Sequence, residues 1–184
     1  MSSKFDELWK FITKERPGVI TVQEYGELKH VYGLLENCTS YLEVGTAEGN
    51  SLYVLTQAMK PGSFVYYIDW AEPHTADARQ EVLEHLRKDY KVIGVHGDTN
   101  DYKTAREVSY LKFDAVLIDA GHTDFNVAID TMLYAGLANK YVIFHDIMIP
   151  DVNRVFEWYR KQFPYRKAYK IVNSEDFGYG IVQV

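Results

Sequence analysis

Several short stretches carry residues that could do chemistry, and the first is built around glycine. Glu43-Val44-Gly45-Thr46-Ala47-Glu48-Gly49-Asn50-Ser51 joins a short apolar run to the start of a helical pattern. Glycines there allow a tight turn and a close backbone approach to a ligand. An acid just before the first glycine would face a cationic ligand group, whereas a diphosphate would be repelled. The spacing is not G-x-G-x-x-G and lacks a Lys-Ser/Thr, which disfavours a pyrophosphate-binding dinucleotide site and a P-loop. Asp69 follows about twenty residues on, where a carboxylate accepts hydrogen bonds from ribose hydroxyls. Trp70 beside it could cover an adenine face, and Asp98, after Gly97, could bond the exocyclic amine of that base. In this order the residues describe a nucleoside with a charged, phosphate-free tail.

Two later stretches offer acid and imidazole: Asp119-Ala120-Gly121-His122 and His145-Asp146. A histidine titrates near neutrality, so His122 could accept a hydroxyl proton. It could equally cap a helix starting near Thr123 or touch a cofactor. His74, after Pro73, is either surface or part of a loop overhanging the same site. His30, His85 and His96 fall inside helix or strand patterns and read as structural, and Cys38 reads as a buried small residue.

These residues need a frame, and the apolar patterning supplies one. Phe5, Leu8, Trp9 and Ile12 recur at helical spacing until Pro17-Gly18. A second stripe runs from Val22 through Tyr25, Leu28, Val31 and Tyr32 to Leu35. Then strand and helix alternate: strands at 41–44, 64–68, 92–95, 113–118 and 141–144, helices at 51–59, 78–90, 125–137 and from Val152 to near Pro164. Ala168–Val172 and Tyr179–Val184 read as two closing strands joined by a hairpin-length turn. Near-continuous apolar strands alternating with helices imply a mostly parallel sheet covered on both faces, with ligands at the carboxyl ends of its strands. Each candidate group stands at such an end.

Composition bounds the function. The chain has 184 residues, 20 Lys+Arg against 26 Asp+Glu, a net charge of −6 and a single cysteine. One cysteine excludes an internal disulfide and a multi-cysteine zinc site. No apolar stretch approaches the ~20 residues that span a bilayer, and the acidic start is unlike a signal peptide, so a cytoplasmic protein without a membrane partner is expected. The acidic balance argues against nucleic-acid backbones as partners. The basic, aromatic stretch from Tyr159 to Lys170 reads as a solvated helix end and a lysine-protected edge strand, with an acidic-substrate patch as the other reading.

The stretch Tyr-Leu-Glu-Val-Gly-Thr-Ala-Glu-Gly-Asn-Ser, followed by Tyr-Ile-Asp-Trp and Gly-Asp-Thr, resembles class I S-adenosylmethionine-dependent methyltransferases. Phe-Asp-Ala-Val-Leu-Ile-Asp-Ala-Gly-His and Ile-Phe-His-Asp-Ile narrow the resemblance to the branch with catechol-type, macrolide-sugar and cephalosporin-type O-methyltransferases. It covers about Leu42 to Phe163. The resemblance implies a single α/β domain over residues 1–184, a three-layer Rossmann-like sandwich with a mostly parallel seven-stranded sheet and a C-terminal antiparallel hairpin. Residues 1–40 would be N-terminal helices covering the cofactor and acceptor side. It also implies S-adenosylmethionine as cofactor, with Glu43, Gly45 and Ser51 at its methionine end, Asp69 at the ribose and Asp98 at the adenine, and with Thr46, Gly49, Trp70 and Asp119 as further cofactor-binding residues.

With the family's strand order, Asp119 and His145-Asp146 end neighbouring strands and can converge. Carboxylate, imidazole and carboxylate suit a divalent ion, Mg, Mn, Fe or Zn. In the relatives such a trio binds Mg, which chelates a substrate hydroxyl and lowers its pKa. This chain has His-Asp where the catechol type has Asp-Asn, so His145 is either a metal ligand or a hydrogen-bonding wall. The expected activity is methyl transfer to a hydroxyl of a small molecule, a sugar or phenol, with His122 and His145 as catalytic groups and a homodimer as one way to close the pocket. The alternative is a catalytically silent adenosyl-binding sensor or scaffold.

Overall fold

The apolar runs become the strands of one sheet because both of their faces are covered. In this computed structural model residues 3–16, 23–70 and 73–184 are described; Pro17-Gly18 and Val22 lie outside them, as does the side chain of His74. The strands are β1 (Ser40–Val44), β2 (Phe64–Asp69), β3 (Lys91–His96), β4 (Phe113–Ile118), β5 (Ala138–Phe144), β6 (Ala168–Ile171) and β7 (Tyr179–Gln183). Their order is β3-β2-β1-β4-β5-β7-β6. The first five are parallel, and β7 runs antiparallel between β5 and β6. The expected seven-stranded, mostly parallel sheet with a closing hairpin is therefore present.

The helices are α1 (Lys4–Lys10), which continues as a π-helical stretch over Phe11–Glu15, α2 (Tyr25–Leu35), α3 (Asn50–Thr56), α4 (Pro73–Leu86), α5 (Tyr102–Arg106), α6 (Asp124–Tyr134) and α7 (Pro150–Gln162). Successive strand side chains point to opposite faces, and here both faces are core. Tyr41, Val65, Tyr67, Ala115 and Leu117 pack with α1–α4. Leu42, Val44, Ile68, Val116 and Ile118 pack with α5–α7. Each fully buried Val or Leu contributes about 1.5–3 kcal/mol relative to exposure, so alternation with polar residues would be costly here.

Two element starts and one short helix depart most from the periodicity. Helix α4 begins at Pro73, five residues before the expected Ala78, since proline suits a first helical turn. Strand β5 starts at Ala138, where the pairing with β4 shifts register between Phe113 and Ala115. Helix α5 went unread because five residues are too few to show a period. Phe5, Leu8, Ile12, Leu28, Val31 and Leu35 of the first forty residues are buried in the α1–α4 core. Among the described residues of that segment, Gln23 lines the cavity described below. No helix among the described residues is long and apolar enough to cross a membrane.

The chain leaves β1 for β2 and β3, then returns to β4 on the other side of β1. That reversal opens a crevice at the carboxyl ends of β1 and β4, the place where open α/β sheets bind ligands.

Candidate active site

A cavity of about 520 Å³ occupies that crevice. Its wall contains Gly45, Thr46 and Gly49 from the loop after β1, Ser51 from the first turn of α3, and Asp69 and Trp70 from the end of β2. Asp98 after β3, Asp119 and His122 after β4, and Asp146 after β5 also line it.

The loop is held mostly by its backbone. Gly45 has φ +87°, and a Cβ there would lie 2.4 Å from the Asp119 carbonyl oxygen and 2.5 Å from the Ala120 Cα, so glycine is required for the two loops to touch. The Thr46 N–H donates to Asp69 Oδ2 at 2.7 Å, and the Ala47 N–H donates to the same oxygen. Ala47 sits at φ +44°, an uncommon conformation for a residue with a Cβ. Arg79 of α4, 1% exposed, fixes it there: its Nη1 donates to the Ala47 carbonyl at 2.9 Å and lies 2.9 Å from Asp69 Oδ2. Arg16 works from the other side, donating to the carbonyls of Glu48 at 3.1 Å and Ala78 at 2.6 Å, and to Asn50 Oδ1. Asp69 thus organises the loop through Oδ2 before any ligand arrives. Asp98 Oδ1 accepts the Asn100 N–H at 2.9 Å, and Trp70 is 60% exposed.

Glu43 is placed differently from the expectation. It is fully buried and is not part of the cavity wall. Tyr41 Oη donates to its Oε2 at 2.6 Å and Ser51 Oγ to its Oε1 at 2.9 Å. Burial pushes its pKa up to about 8 in spite of these donors. Its carboxyl lies behind the loop and not on the cavity wall. A strand-end acid looks the same in sequence whether it faces the crevice or the core.

At the other end, side chains do the work. Asp146 adopts φ +54°, a left-handed conformation that aspartate tolerates better than most residues. Its Oδ2 lies 2.9 Å from His122 Nε2. Hydrogen bonds to Asp119 and Asp146 raise the half-exposed His122 to about 9. His122 does not cap α6, since the Thr123 hydroxyl accepts the Asn126 N–H at 3.3 Å. His145 is 2% exposed and stands behind the cavity wall, where it contacts the two carboxylates. Its Nδ1 lies 3.0 Å from Asp119 Oδ1 and 3.4 Å from Asp146 Oδ1, and its ring packs 4.6 Å from that of Tyr179. Burial opposes its charge, yet the two carboxylates outweigh this and raise it to about 10.

Asp119, His145 and Asp146 also offer one donor atom each, all within 4.8 Å of one another. That spacing and donor set fit a divalent ion. One feature is unusual for such a site: a ligating imidazole gives its other N–H to an acceptor, and His145 Nε2 is buried with no partner among the described residues.

Arg16, Arg79 and Asn100 escaped the sequence reading. Nothing marks a helix-borne arginine such as Arg79 as buried until the loop it supports is folded over it. Two cations of the basic stretch from Tyr159 are paired with Glu157, which precedes it: Arg160 at 2.6 Å and Lys170 at 2.7 Å.

A family model described as a methyltransferase domain matches residues 42–147, from β1 through the residue after Asp146. The chain belongs to the methyltransferase family. No curated protein matches this methyltransferase in sequence, but solved structures match it in fold. The O-methyltransferase from Bacillus cereus in complex with SAH superposes with TM-score 0.70 at 16% identity, over 100% of this chain and 92% of that one. TomG from Streptomyces achromogenes, an O-methyltransferase of tomaymycin synthesis in complex with SAM, gives 0.71 at 16%, over 100% and 91%. The N-methyltransferase NodS from Bradyrhizobium japonicum, with SAH, gives 0.63 at 11%, over 97% of each chain. At these identities the likeness concerns the fold.

Proposed function

We propose that this methyltransferase uses S-adenosylmethionine to methylate a hydroxyl group of a small molecule, a sugar or a phenol. One observation carries the reading. A single cavity has the Asp69-locked glycine loop at one end and Asp119, His122 and Asp146 at the other, so an adenosyl cofactor and an acceptor can share it. The relatives of this fold bound to SAH or SAM support the cofactor.

In this reading Asp69 and Asp98 receive the ribose and adenine, and the loop backbone at Gly45 and Thr46 receives the methionine end. The acceptor oxygen forms its bond to the methyl carbon as the bond from sulfur to that carbon breaks, leaving a neutral thioether. In-line positioning supplies much of the acceleration. The hydroxyl proton passes to His122 in its free-imidazole form, which is populated as the pH rises toward about 9, and the resulting imidazolium is held by Asp146, whose Oδ2 lies 2.9 Å from Nε2. His145 orients Asp119 and Asp146 from behind. Asp119, His145 and Asp146 would also hold a divalent ion, which would supply Lewis-acid lowering of the hydroxyl pKa.

Calorimetric titration with S-adenosylhomocysteine, followed by methyl transfer to a panel of phenols, sugars and amines, tests this. Micromolar binding with transfer to hydroxyls is expected, unchanged or enhanced by magnesium. Transfer to amines alone would replace the acceptor class, an outcome the NodS fold makes concrete. Binding without any transfer would favour a silent adenosyl sensor. Absence of binding would end the proposal.

A further inference from the structure

Asp130 of α6 is fully buried. A carboxyl in that position costs stability that a leucine would not, so its hydrogen bond is informative. Its Oδ1 accepts from Asn100 Nδ2 at 2.7 Å, and the same Nδ2 donates to the Asn126 carbonyl at 3.2 Å. Both partners are acceptors, which decides the orientation of the Asn100 amide: nitrogen toward Asp130, oxygen away from it. Asn100 lines the cavity beside Asp98, and its backbone N–H closes a turn onto the Asp98 carboxylate at 2.9 Å.

We propose that Asn100 Oδ1 is a second acceptor for the exocyclic amine of the cofactor's adenine, and that Asp130 is the positioning residue that keeps this oxygen turned toward the cavity. The inference rests on the adenosyl reading given above. An amine has two hydrogens, and Asp98 and Asn100 supply one acceptor for each. A base carrying a carbonyl in place of the amine would set oxygen against two acceptors and be rejected.

The test compares the affinities of the whole protein for S-adenosylhomocysteine and for S-inosylhomocysteine, its 6-oxo analogue, by calorimetry. The wild type is expected to prefer the adenine form by about tenfold, the worth of about one net hydrogen bond at a part-exposed site. Asn100→Ala is expected to reduce that ratio by about tenfold. Asp130→Ala should reduce it similarly by releasing the amide, whereas Asp130→Asn, whose own amide oxygen can accept the Asn100 bond, should retain it. Circular dichroism establishes that each variant is folded. A merely structural role for Asp130 would weaken both ligands together and leave the ratio unmoved.

An unchanged ratio in folded Asn100→Ala would overturn the proposal. A reduced ratio in Asn100→Ala with an unchanged one in Asp130→Ala would overturn the positioning role. If Asp130→Ala does not fold, Asp130→Asn must keep the wild-type ratio for that role to stand. Wild-type protein that binds neither ligand would instead refute the adenosyl reading from which the inference starts.

Discussion

The two ends of the cavity are built from different materials. At the glycine loop, the Thr46 and Ala47 N–H groups and the Arg79 guanidinium all converge on one oxygen of Asp69. The shape is carried by backbone geometry and by arginines buried behind it. At the far end, Asp119 and Asp146 meet His122 and His145, and every one of these contacts is between side chains. The first end is a rigid receptor whose charge is already committed. The second is a compact set of titratable side chains that meet one another directly. A substitution at the loop should therefore cost binding and stability together, whereas one at the far end should cost turnover and leave binding intact.

The sharpest way to break this contrast is at His122. His122→Ala is expected to lower methyl transfer by about 10²–10⁴-fold, the usual contribution of a positioned acid–base group, while calorimetry shows S-adenosylhomocysteine binding close to wild type. A parallel loss of binding would mean that the far end also shapes the receptor.

Gly45→Ala probes the opposite end. The new Cβ would lie 2.4 Å from the Asp119 carbonyl oxygen, and the left-handed backbone alone costs about 1–3 kcal/mol. Both the melting temperature and ligand affinity should fall; an unaltered melt would show that the loop is softer than its contacts imply. Arg79→Met is milder. It leaves Asp69 and the Ala47 carbonyl without their cation, and affinity for S-adenosylhomocysteine should drop about ten- to hundredfold, corresponding to one or two lost charge-assisted hydrogen bonds.

Two buried carboxyls give the smallest and most general test. Burial raises Asp130 to about 6 and Glu43 to about 8. Both folded values exceed the ordinary carboxyl values of the unfolded chain. The stability tied to their protons is thus fully present below about pH 4 and is lost as the pH rises through about 6 for Asp130 and about 8 for Glu43. Denaturant unfolding followed from about pH 5 to about pH 8.5 should show these two groups lowering stability by a few kcal/mol, at about 1.4 kcal/mol for every tenfold difference in proton affinity between the folded and unfolded chain. Asp130→Asn should flatten the lower part of that slope, and a slope identical to wild type would remove Asp130 as its source.

Much of this protein is legible in its sequence. Apolar runs with two buried faces, separated by helical periods, dictate a parallel sheet because side chains alternate across a strand and both sides must be covered. Gly45 at the end of β1 and acids at the ends of β2, β3, β4 and β5 follow from the same logic: the carboxyl ends of the strands open onto the crevice, where polar groups can converge. Family motifs in the same residues point to the methyltransferase fold.

Tertiary structure alone decided which of those polar groups face the cavity. Glu43 and His145 occupy strand ends as suggestive as that of Asp69, yet both are buried behind the wall. Arg79, Arg16, Asn100 and Asp130 stand in unremarkable helix or loop patterns and became important only when segments about 30 to 60 residues apart came together. A sequence pattern records the period of a residue along its own element. The direction of its side chain relative to another element depends on crossing geometry and packing, which are properties of the assembled chain.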